Sequence, residues 1–161
     1  MENKVIDTTN FTLNEDLILA KQTVKDQEEI LRKLGGLLYE HQFVKDSYTK
    51  AVLEREKVFP TGIATSVTGV AIPHTDSIHV NQSAIAIATL EQPVVFEAMG
   101  YPGKNIENVT LVMMLAIQDP KKVMEVIRLI MKIFTTESIL NSILDASSAQ
   151  TVQEAFYRGL N

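Results

Sequence analysis

The sequence predicts a single α/β domain, in which a mixed sheet of four or five strands has helices on both faces. Two stretches, Ala84–Leu90 and Val109–Ile117, are almost entirely apolar and are typical of strands buried on both sides. Residues 120–134 instead repeat apolar side chains at helical spacing. Because strands alternate with helices along one chain of 161 residues, an α/β architecture is favoured over an all-helical or all-strand one.

The start of the chain is predicted to hold one strand and one helix. Residues 1–14 are polar and are expected to be loosely ordered, and Asp16–Ala20 is the first candidate strand. Thr23 is the predicted N-cap of a helix, because acidic residues follow it where the helix dipole favours them. The apolar stripe of this helix covers Ile30–Leu38. Gly35–Gly36 lies within the stripe, and we interpret the pair as a point of close packing.

A second helix is predicted over residues 46–57. Tyr48 and Val52 are expected to face the core, while Glu54 and Glu56 are expected on the solvated face.

The later elements are bounded by turn and capping residues. Proline cannot donate to a strand ladder, so Gln92-Pro93 is predicted to separate two strands. Asp119-Pro120 combines an N-cap with proline at the first helical position and predicts a helix start. Ser148 is the predicted cap of the last helix. The predicted strands are Val70–Ile72, Ala84–Leu90, Val94–Phe96 and Val109–Ile117, and the predicted helices cover 120–134, 137–144 and 148–157.

The composition excludes several classes of function. A net charge of −5 offers no basic surface for nucleic acid or anionic lipid. The chain has no cysteine, which excludes disulfides, thiolate metal sites and cysteine nucleophiles. The N-terminal residues lack a signal-peptide pattern, and no apolar run approaches the roughly 20 residues that span a bilayer. We therefore expect a soluble, cytoplasmic protein without direct membrane insertion.

The most reactive stretch follows the strand Val70–Ile72. Pro73 ends that strand, so His74 is predicted just beyond a buried strand, next to the turn-forming residues that follow it. Asp76 is the candidate carboxylate that orients the imidazole through its far nitrogen and so sets the tautomer. His79 follows the same turn as a supporting candidate. His41 is expected at the exposed end of the first helix.

Three kinds of chemistry are compatible with these residues. No G-x-S-x-G sequence is present, so serine hydrolysis has little support. His74, Asp76 and His79 could be metal ligands, as in a metal-dependent hydrolase, although their spacing is not a standard zinc signature. Phosphoryl transfer through histidine needs a neutral imidazole surrounded by donors or cations.

Several side chains are candidate donors for a phosphoryl group. Arg55 offers a planar guanidinium that suits phosphate, although an ion pair with Glu54 or Glu56 on the helix surface is an alternative explanation for it. The candidate hydroxyl donors are those of Thr65, Ser66, Thr68 and Thr75.

Two segments together resemble the enzyme IIA family of the bacterial sugar phosphotransferase system, in its fructose/mannitol/galactitol subtype. They are Leu53-Glu-Arg-Glu-Lys-Val-Phe-Pro-Thr-Gly-Ile63 and Gly69-Val-Ala-Ile-Pro-His74. The order of predicted elements also matches a stand-alone domain of that family, so the resemblance covers nearly the whole chain. Residues 1–161 are accordingly expected to form a single enzyme IIA-type domain.

The resemblance implies a phosphotransferase component with a phosphohistidine intermediate and no cofactor. His74 would accept a phosphoryl group from the phosphocarrier protein HPr and pass it to a cysteine of enzyme IIB. Arg55 would match the family arginine that stabilises the phosphohistidine. Contact with the membrane would be indirect, through the IIB/IIC permease.

The sequence departs from the mannitol-type pattern in two places. The stretch between Arg55 and His74 is about three residues longer, with Ser66–Thr68 as the insertion. The second active-site histidine of the pattern falls at about Lys122, so its role passes to His79 or is absent. The residues from Pro73 to Val80 are more similar to galactitol-type relatives, which favours a hexitol. A regulatory role, in which phosphorylation of the histidine is itself the signal, is the alternative to transport.

Overall fold

Five strands form one mixed sheet in the computed structural model, which describes residues 10–161. The order across the sheet is β1-β4-β5-β3-β2. The pairs β1/β4 and β3/β5 are parallel, whereas β4/β5 and β2/β3 are antiparallel. The predicted mixed sheet of four or five strands is therefore confirmed. In chain order the strands are β1 (Ile18–Gln22), β2 (Gly62–Ala64), β3 (Gly69–Ala71), β4 (Ala84–Glu97) and β5 (Asn105–Ala116).

Helices cover both faces of this sheet, as the sequence predicts. The first two helices pack on one face through residues such as Ile30 and Val52, and the other three pack on the opposite face through residues such as Ile130 and Phe156. The helices are α1 (Gln27–Glu40), α2 (Tyr48–Val58), α3 (Val123–Phe134), α4 (Glu137–Asp145) and α5 (Ala149–Gly159). No helix among residues 10–161 is both long enough and apolar enough to cross a membrane.

Strand β5 is the central strand, and its burial explains its composition. Leu111, Met113 and Leu115 contact the α3–α5 layer, while Val112 and Met114 contact the α1–α2 layer. A strand covered on both sides has apolar residues on both faces, so it loses the alternation of polar and apolar residues. The prediction of a buried strand over 109–117 is confirmed.

Strand β4 is continuous, which corrects the prediction of two strands separated by a turn. It runs from Ala84 to Glu97, and its pairing with β5 is irregular between Thr89 and Val94. Pro93 is exposed within this irregular region. A strand tolerates proline at a bulge, because the missing N–H then breaks no regular ladder bond.

The first helix begins later than predicted. Asp26 is the N-cap of α1, in place of Thr23, and its carboxylate accepts the Glu29 N–H at 2.9 Å. Strand β1 extends to Gln22, so the chain needs a few more residues before it can turn into the helix. The close packing predicted at Gly35–Gly36 is confirmed for Gly35 alone, since a β-carbon there would overlap the side chain of Thr49 in α2.

The N-terminal segment is partly better ordered than predicted. Residues 1–9 lie outside the described residues, so the expectation for them is not addressed. Phe11 and Leu13 are buried in the core, and the rings of Phe11 and Phe156 of α5 form a T-shaped pair with 6.2 Å between their centroids. These two apolar side chains explain why the start of the described chain is packed.

Candidate active site

His74 lies three residues beyond the end of β3, on chain that still runs alongside the central strand β5. The carbonyl of Pro73 accepts the Leu115 N–H at 3.0 Å, and His74 itself pairs with Leu115 across an isolated bridge. The His74 side chain is half-buried. The central strand therefore holds the backbone at Pro73 and His74, and the ring remains partly exposed.

One hydrogen bond defines the tautomer of His74. Its Nδ1 lies 2.8 Å from the carbonyl oxygen of Ile72. Because a carbonyl can only accept, Nδ1 carries the hydrogen and Nε2 carries the lone pair. Burial is the main reason that the pKa of His74 lies below its usual value; the Ile72 hydrogen bond raises this pKa and Arg55 lowers it further. The ring is therefore neutral at pH 7, as a nucleophile must be.

Asp76 does not occupy the position that the sequence analysis gives it. Its carboxylate lies 3.5 Å from Nη1 of Arg55, and the backbone carbonyl of Ile72 orients the imidazole instead. The chain continues parallel to β5 from Ala71 to His74, and the ring folds back so that its Nδ1 lies next to the carbonyl two residues earlier. The Asp76 side chain is 73% exposed and extends towards α2.

Arg55 lies in the last turn of α2 and faces His74 across the site. Its guanidinium stacks 5.1 Å from the centroid of the Phe59 ring, and its ion-pair partner is Asp76 rather than Glu54 or Glu56. Its Nε is buried and has no hydrogen-bond partner among residues 10–161. An unsatisfied buried donor costs about 1–3 kcal/mol, so a small shift towards an incoming anion would be favourable.

Arg55 and His74 line a common pocket of about 360 Å³. One side of it is closed by Pro120, in a 3-10 turn that precedes α3, and by Val123, the first residue of α3. The sequence analysis predicts a helix start at Asp119-Pro120 but misses this contribution to the pocket. Lys122, near which the sequence analysis places the second histidine of the family pattern, pairs with Glu125 at 3.6 Å. The lining residues are Arg55, His74, Thr75, Asp76, Ser77, Ile78, Pro120 and Val123.

The other candidate residues contact different partners. Nδ1 of His79 lies 2.7 Å from Oγ of Ser47, and His79 does not line the pocket. Among the four residues whose hydroxyls are predicted as donors, only Thr75 lines the pocket. Thr65 bonds to the Thr68 carbonyl, which closes the loop between β2 and β3. Within the described part of the chain, no group of three or more His, Asp or Glu side chains is arranged to hold a metal ion.

Glu56 is buried, although the sequence analysis places it on a solvated face. Only 5% of it is exposed, and its two carboxylate oxygens accept the backbone N–H of Thr61 at 2.7 Å and the hydroxyl of Thr61 at 2.9 Å. Burial raises its pKa to about 7, while the two bonds from Thr61 oppose the increase. The sequence signal that could have indicated this burial is the turn at Pro60-Thr61, because Thr61 supplies both hydrogen-bond donors to the carboxylate.

Replacing Glu56 with glutamine should change how stability depends on pH. The native carboxyl titrates at about 7 instead of 4.5, so between these values the native state binds a proton that the unfolded state lacks. The contribution of Glu56 to stability therefore falls as pH rises through that range and is constant above it. We expect the free energy of unfolding of Glu56→Gln, relative to the wild type, to increase by on the order of 3 kcal/mol between pH 5 and 8.

Urea unfolding of both proteins at a series of pH values measures this difference. Taking the difference removes the contribution of His74, which both proteins share. A difference that does not change with pH would contradict the raised pKa of Glu56.

The chain matches proteins of one family along most of its length. Residues 11–159 match the family described as phosphoenolpyruvate-dependent sugar phosphotransferase system, EIIA 2. The galactitol-specific EIIA component of Escherichia coli K12 is 31% identical over 103 residues, which cover 64% of this chain and 67% of that protein. The transcriptional regulator ManR of Bacillus subtilis is 32% identical over 108 residues, which cover 67% of this chain but only 15% of ManR.

Solved structures share the fold at lower identity. Enzyme IIA of the mannitol system, in complex with phosphorylated enzyme IIB from Escherichia coli, gives a TM-score of 0.76 at 22% identity, covering 91% of this chain and 97% of that one. The nitrogen regulatory protein IIA-Ntr of Neisseria meningitidis gives a TM-score of 0.68 at 23% identity, covering 89% of this chain and 94% of that one. The family that the sequence motifs resemble is the one that these matches show. The chain belongs to the EIIA 2 family of the phosphoenolpyruvate-dependent sugar phosphotransferase system.

Proposed function

We propose that His74 accepts a phosphoryl group on Nε2 from phosphorylated HPr and passes it to a cysteine of enzyme IIB. The observation that carries this proposal is the Nδ1–H bond to the Ile72 carbonyl, which leaves the Nε2 lone pair available in a pocket shared with Arg55. In the first step Nε2 attacks phosphorus and the bond from phosphorus to the donor breaks. In the second step the thiolate of enzyme IIB attacks phosphorus and the Nε2–phosphorus bond breaks.

The surroundings of His74 support this role electrostatically. The Ile72 carbonyl stabilises the positive charge that develops on the ring when Nε2 is phosphorylated, because Nδ1–H becomes a stronger donor. Arg55 supplies a guanidinium for the phosphoryl oxygens, and Asp76, the carboxylate that pairs with it among the described residues, is largely exposed to solvent. An exposed ion pair contributes little energy, so Arg55 can exchange Asp76 for the phosphoryl group.

Exposed apolar side chains beside the pocket support docking of protein partners. Ile78 lines the pocket and is 71% exposed, Phe59 underlies Arg55 and is 60% exposed, and Met124 follows the lining residue Val123 and is 56% exposed. Exposed apolar patches often mark protein interfaces. The mannitol-system relative, which shares this fold, forms a complex with phosphorylated enzyme IIB. The galactitol-specific relative favours a hexitol as the transported substrate.

The test is phosphorylation by the purified upstream components. Incubation with enzyme I, HPr and labelled phosphoenolpyruvate should place about one equivalent of acid-labile, base-stable phosphate on the chain, as expected of a phosphohistidine. Adding enzyme IIB of the galactitol or mannitol type should then remove it. Failure to take up label from phosphorylated HPr would contradict the proposal.

A regulatory role is the second candidate, and the match to ManR favours it. The chemistry at His74 would be the same, but the phosphorylated state would itself be the signal. The chase with enzyme IIB separates the two roles. Rapid loss of label supports transport, whereas label that every enzyme IIB leaves in place supports regulation.

Replacing His79 with glutamine should have a mild effect on phosphoryl transfer. His79 contacts Ser47 rather than the pocket, and glutamine retains polar atoms that can bond to the serine hydroxyl. We expect the rate of transfer from phosphorylated HPr to change by less than about fivefold, which corresponds to about 1 kcal/mol. Rapid-quench kinetics measure that rate. A loss comparable to that of removing His74 would make His79 part of the reacting site.

A further inference from the structure

Glu56 is the only Asp, Glu, Lys, Arg or His side chain that is buried in the part of the chain that the structure describes, and no step of the proposed reaction uses it. Both of its carboxylate oxygens bind Thr61, one through the backbone N–H and one through the hydroxyl. Thr61 is itself only 3% exposed. The end of α2 is thereby joined to the residue immediately before β2.

A path of hydrogen bonds continues from Thr61 to His74. The Thr61 carbonyl accepts the Ile72 N–H at 3.4 Å, and the next residue, Gly62, pairs with Ala71 in the β2/β3 ladder. The carbonyl of Ile72 then accepts the Nδ1–H of His74 at 2.8 Å. Ile72, whose carbonyl orients the imidazole, is therefore held on one side by Thr61, while β5 holds the next residue, Pro73.

A second path leads from Glu56 to Arg55. The bonds between Glu56 and Thr61 close a short loop that contains Phe59. The Phe59 N–H donates to the Arg55 carbonyl at 2.7 Å, and its ring lies under the Arg55 guanidinium. Closing the loop thus keeps the aromatic ring in place beneath the cation.

We propose that Glu56 is a positioning residue for phosphoryl transfer: by holding Thr61, it places both the carbonyl that selects the His74 tautomer and the ring that supports Arg55. This inference rests on the proposed function of His74. Glu56 does not touch the phosphoryl group, and it acts through Thr61. The competing explanation is that Glu56 only terminates α2, in which case its loss would affect stability alone.

Two substitutions at the same position separate these explanations. Glu56→Leu keeps an apolar chain of similar length and removes both acceptors. Glu56→Gln removes the charge, but its amide can accept the Thr61 N–H and donate to the Thr61 hydroxyl. Glu54→Gln is the matched control, because Glu54 is exposed two residues earlier on the same helix. If the leucine variant does not fold, Thr61→Val replaces it in the test. This substitution removes the bond from the Thr61 hydroxyl to Glu56 and keeps nearly the same side-chain shape.

Two readouts are measured on the full chain of each folded variant. Nitrogen-15 NMR of the histidine rings reports the tautomer of His74 without any phosphoryl transfer. Single-turnover transfer from phosphorylated HPr gives the maximal rate and the half-saturating HPr concentration. For Glu56→Leu we expect a mixture of His74 tautomers and a maximal rate lowered about 10-fold to 100-fold, the scale of a misplaced reacting group. The half-saturating concentration should change little, and Glu56→Gln should behave like the wild type.

Three results would overturn the positioning role. The first is a leucine variant, or a valine variant at 61, with the wild-type tautomer and the wild-type maximal rate. The second is a rate loss that merely follows the unfolded fraction at the assay temperature. The third is a glutamine variant as impaired as the leucine variant, since charge would then matter and the hydrogen bonds would not. The tautomer measurement also separates this inference from the proposed function, which fails only when the wild type takes no label on His74.

Discussion

Replacing His74 with alanine is expected to abolish labelling by phosphorylated HPr. The reason is that neither of the other two histidines can substitute for it. His41 is exposed at the C-terminal end of α1, and His79 lies outside the pocket beside Ser47. The measurement is the amount of acid-labile phosphate per chain after incubation with enzyme I, HPr and labelled phosphoenolpyruvate.

The alanine variant should remain folded. The side-chain hydrogen bond of His74 is made to the carbonyl two residues earlier, so its loss breaks no contact between distant elements. A net hydrogen bond contributes about 1 kcal/mol, so the thermal midpoint should fall by only a few degrees. Circular dichroism supplies that control. A folded variant that still takes up one equivalent of acid-labile phosphate would exclude His74 as the acceptor.

Replacing Arg55 with lysine should slow transfer in both directions by roughly 10-fold to 100-fold, although the charge is retained. Two properties are lost: the planar fork that can bind two phosphoryl oxygens at once, and the stacking of the guanidinium on Phe59. A loss of this size corresponds to about 1.4–2.8 kcal/mol of transition-state stabilisation. Rapid-quench measurements with phosphorylated HPr, and then with enzyme IIB, give the two rates.

Arg32→Lys is the matched control for this substitution. Arg32 is an exposed helical arginine that pairs with Glu28 at 3.1 Å, outside the residues that line the pocket. The control should transfer at the wild-type rate. Wild-type rates for Arg55→Lys as well would show that Arg55 has no specific role and that its contact with Asp76 is an ordinary surface ion pair.

The fold was predictable where a pattern admits a single solution. The apolar run over 109–117 has no polar face to expose, and the stripe over 120–134 fits only a helix buried on one side. Prediction failed where neighbouring residues offered equivalent local signals. Thr23 and Asp26 are both good N-caps, and the end of β1 decides between them. Pro93 is compatible with a turn or a bulge, and the choice depends on the pairing with β5.

The candidate site was predictable in its central pair but not in its surroundings. His74 and Arg55 share a pocket, as the sequence hypothesis requires, and their roles in transfer stay predictions. Pro120 joins them because β3 lies parallel to β5 and the chain enters α3 directly after β5, an arrangement that no local pattern contains. The burial of Glu56 was missed because charged helical residues are usually solvated, and its partners lie on irregular chain beyond the helix.

The close approach of α1 and α2 at Gly35 links the geometry of the candidate site to a residue that does not line its pocket. Thr49 lies at the beginning of α2, and Arg55 and Glu56 lie near its end, so a side chain at position 35 would push on the helix that carries both. Helices transmit such displacements because protein interiors are densely packed. We therefore expect substitutions at position 35 to lower the rate of phosphoryl transfer, even in variants whose thermal stability has been restored by compensating changes elsewhere. Few residues other than glycine should then occur naturally at this position.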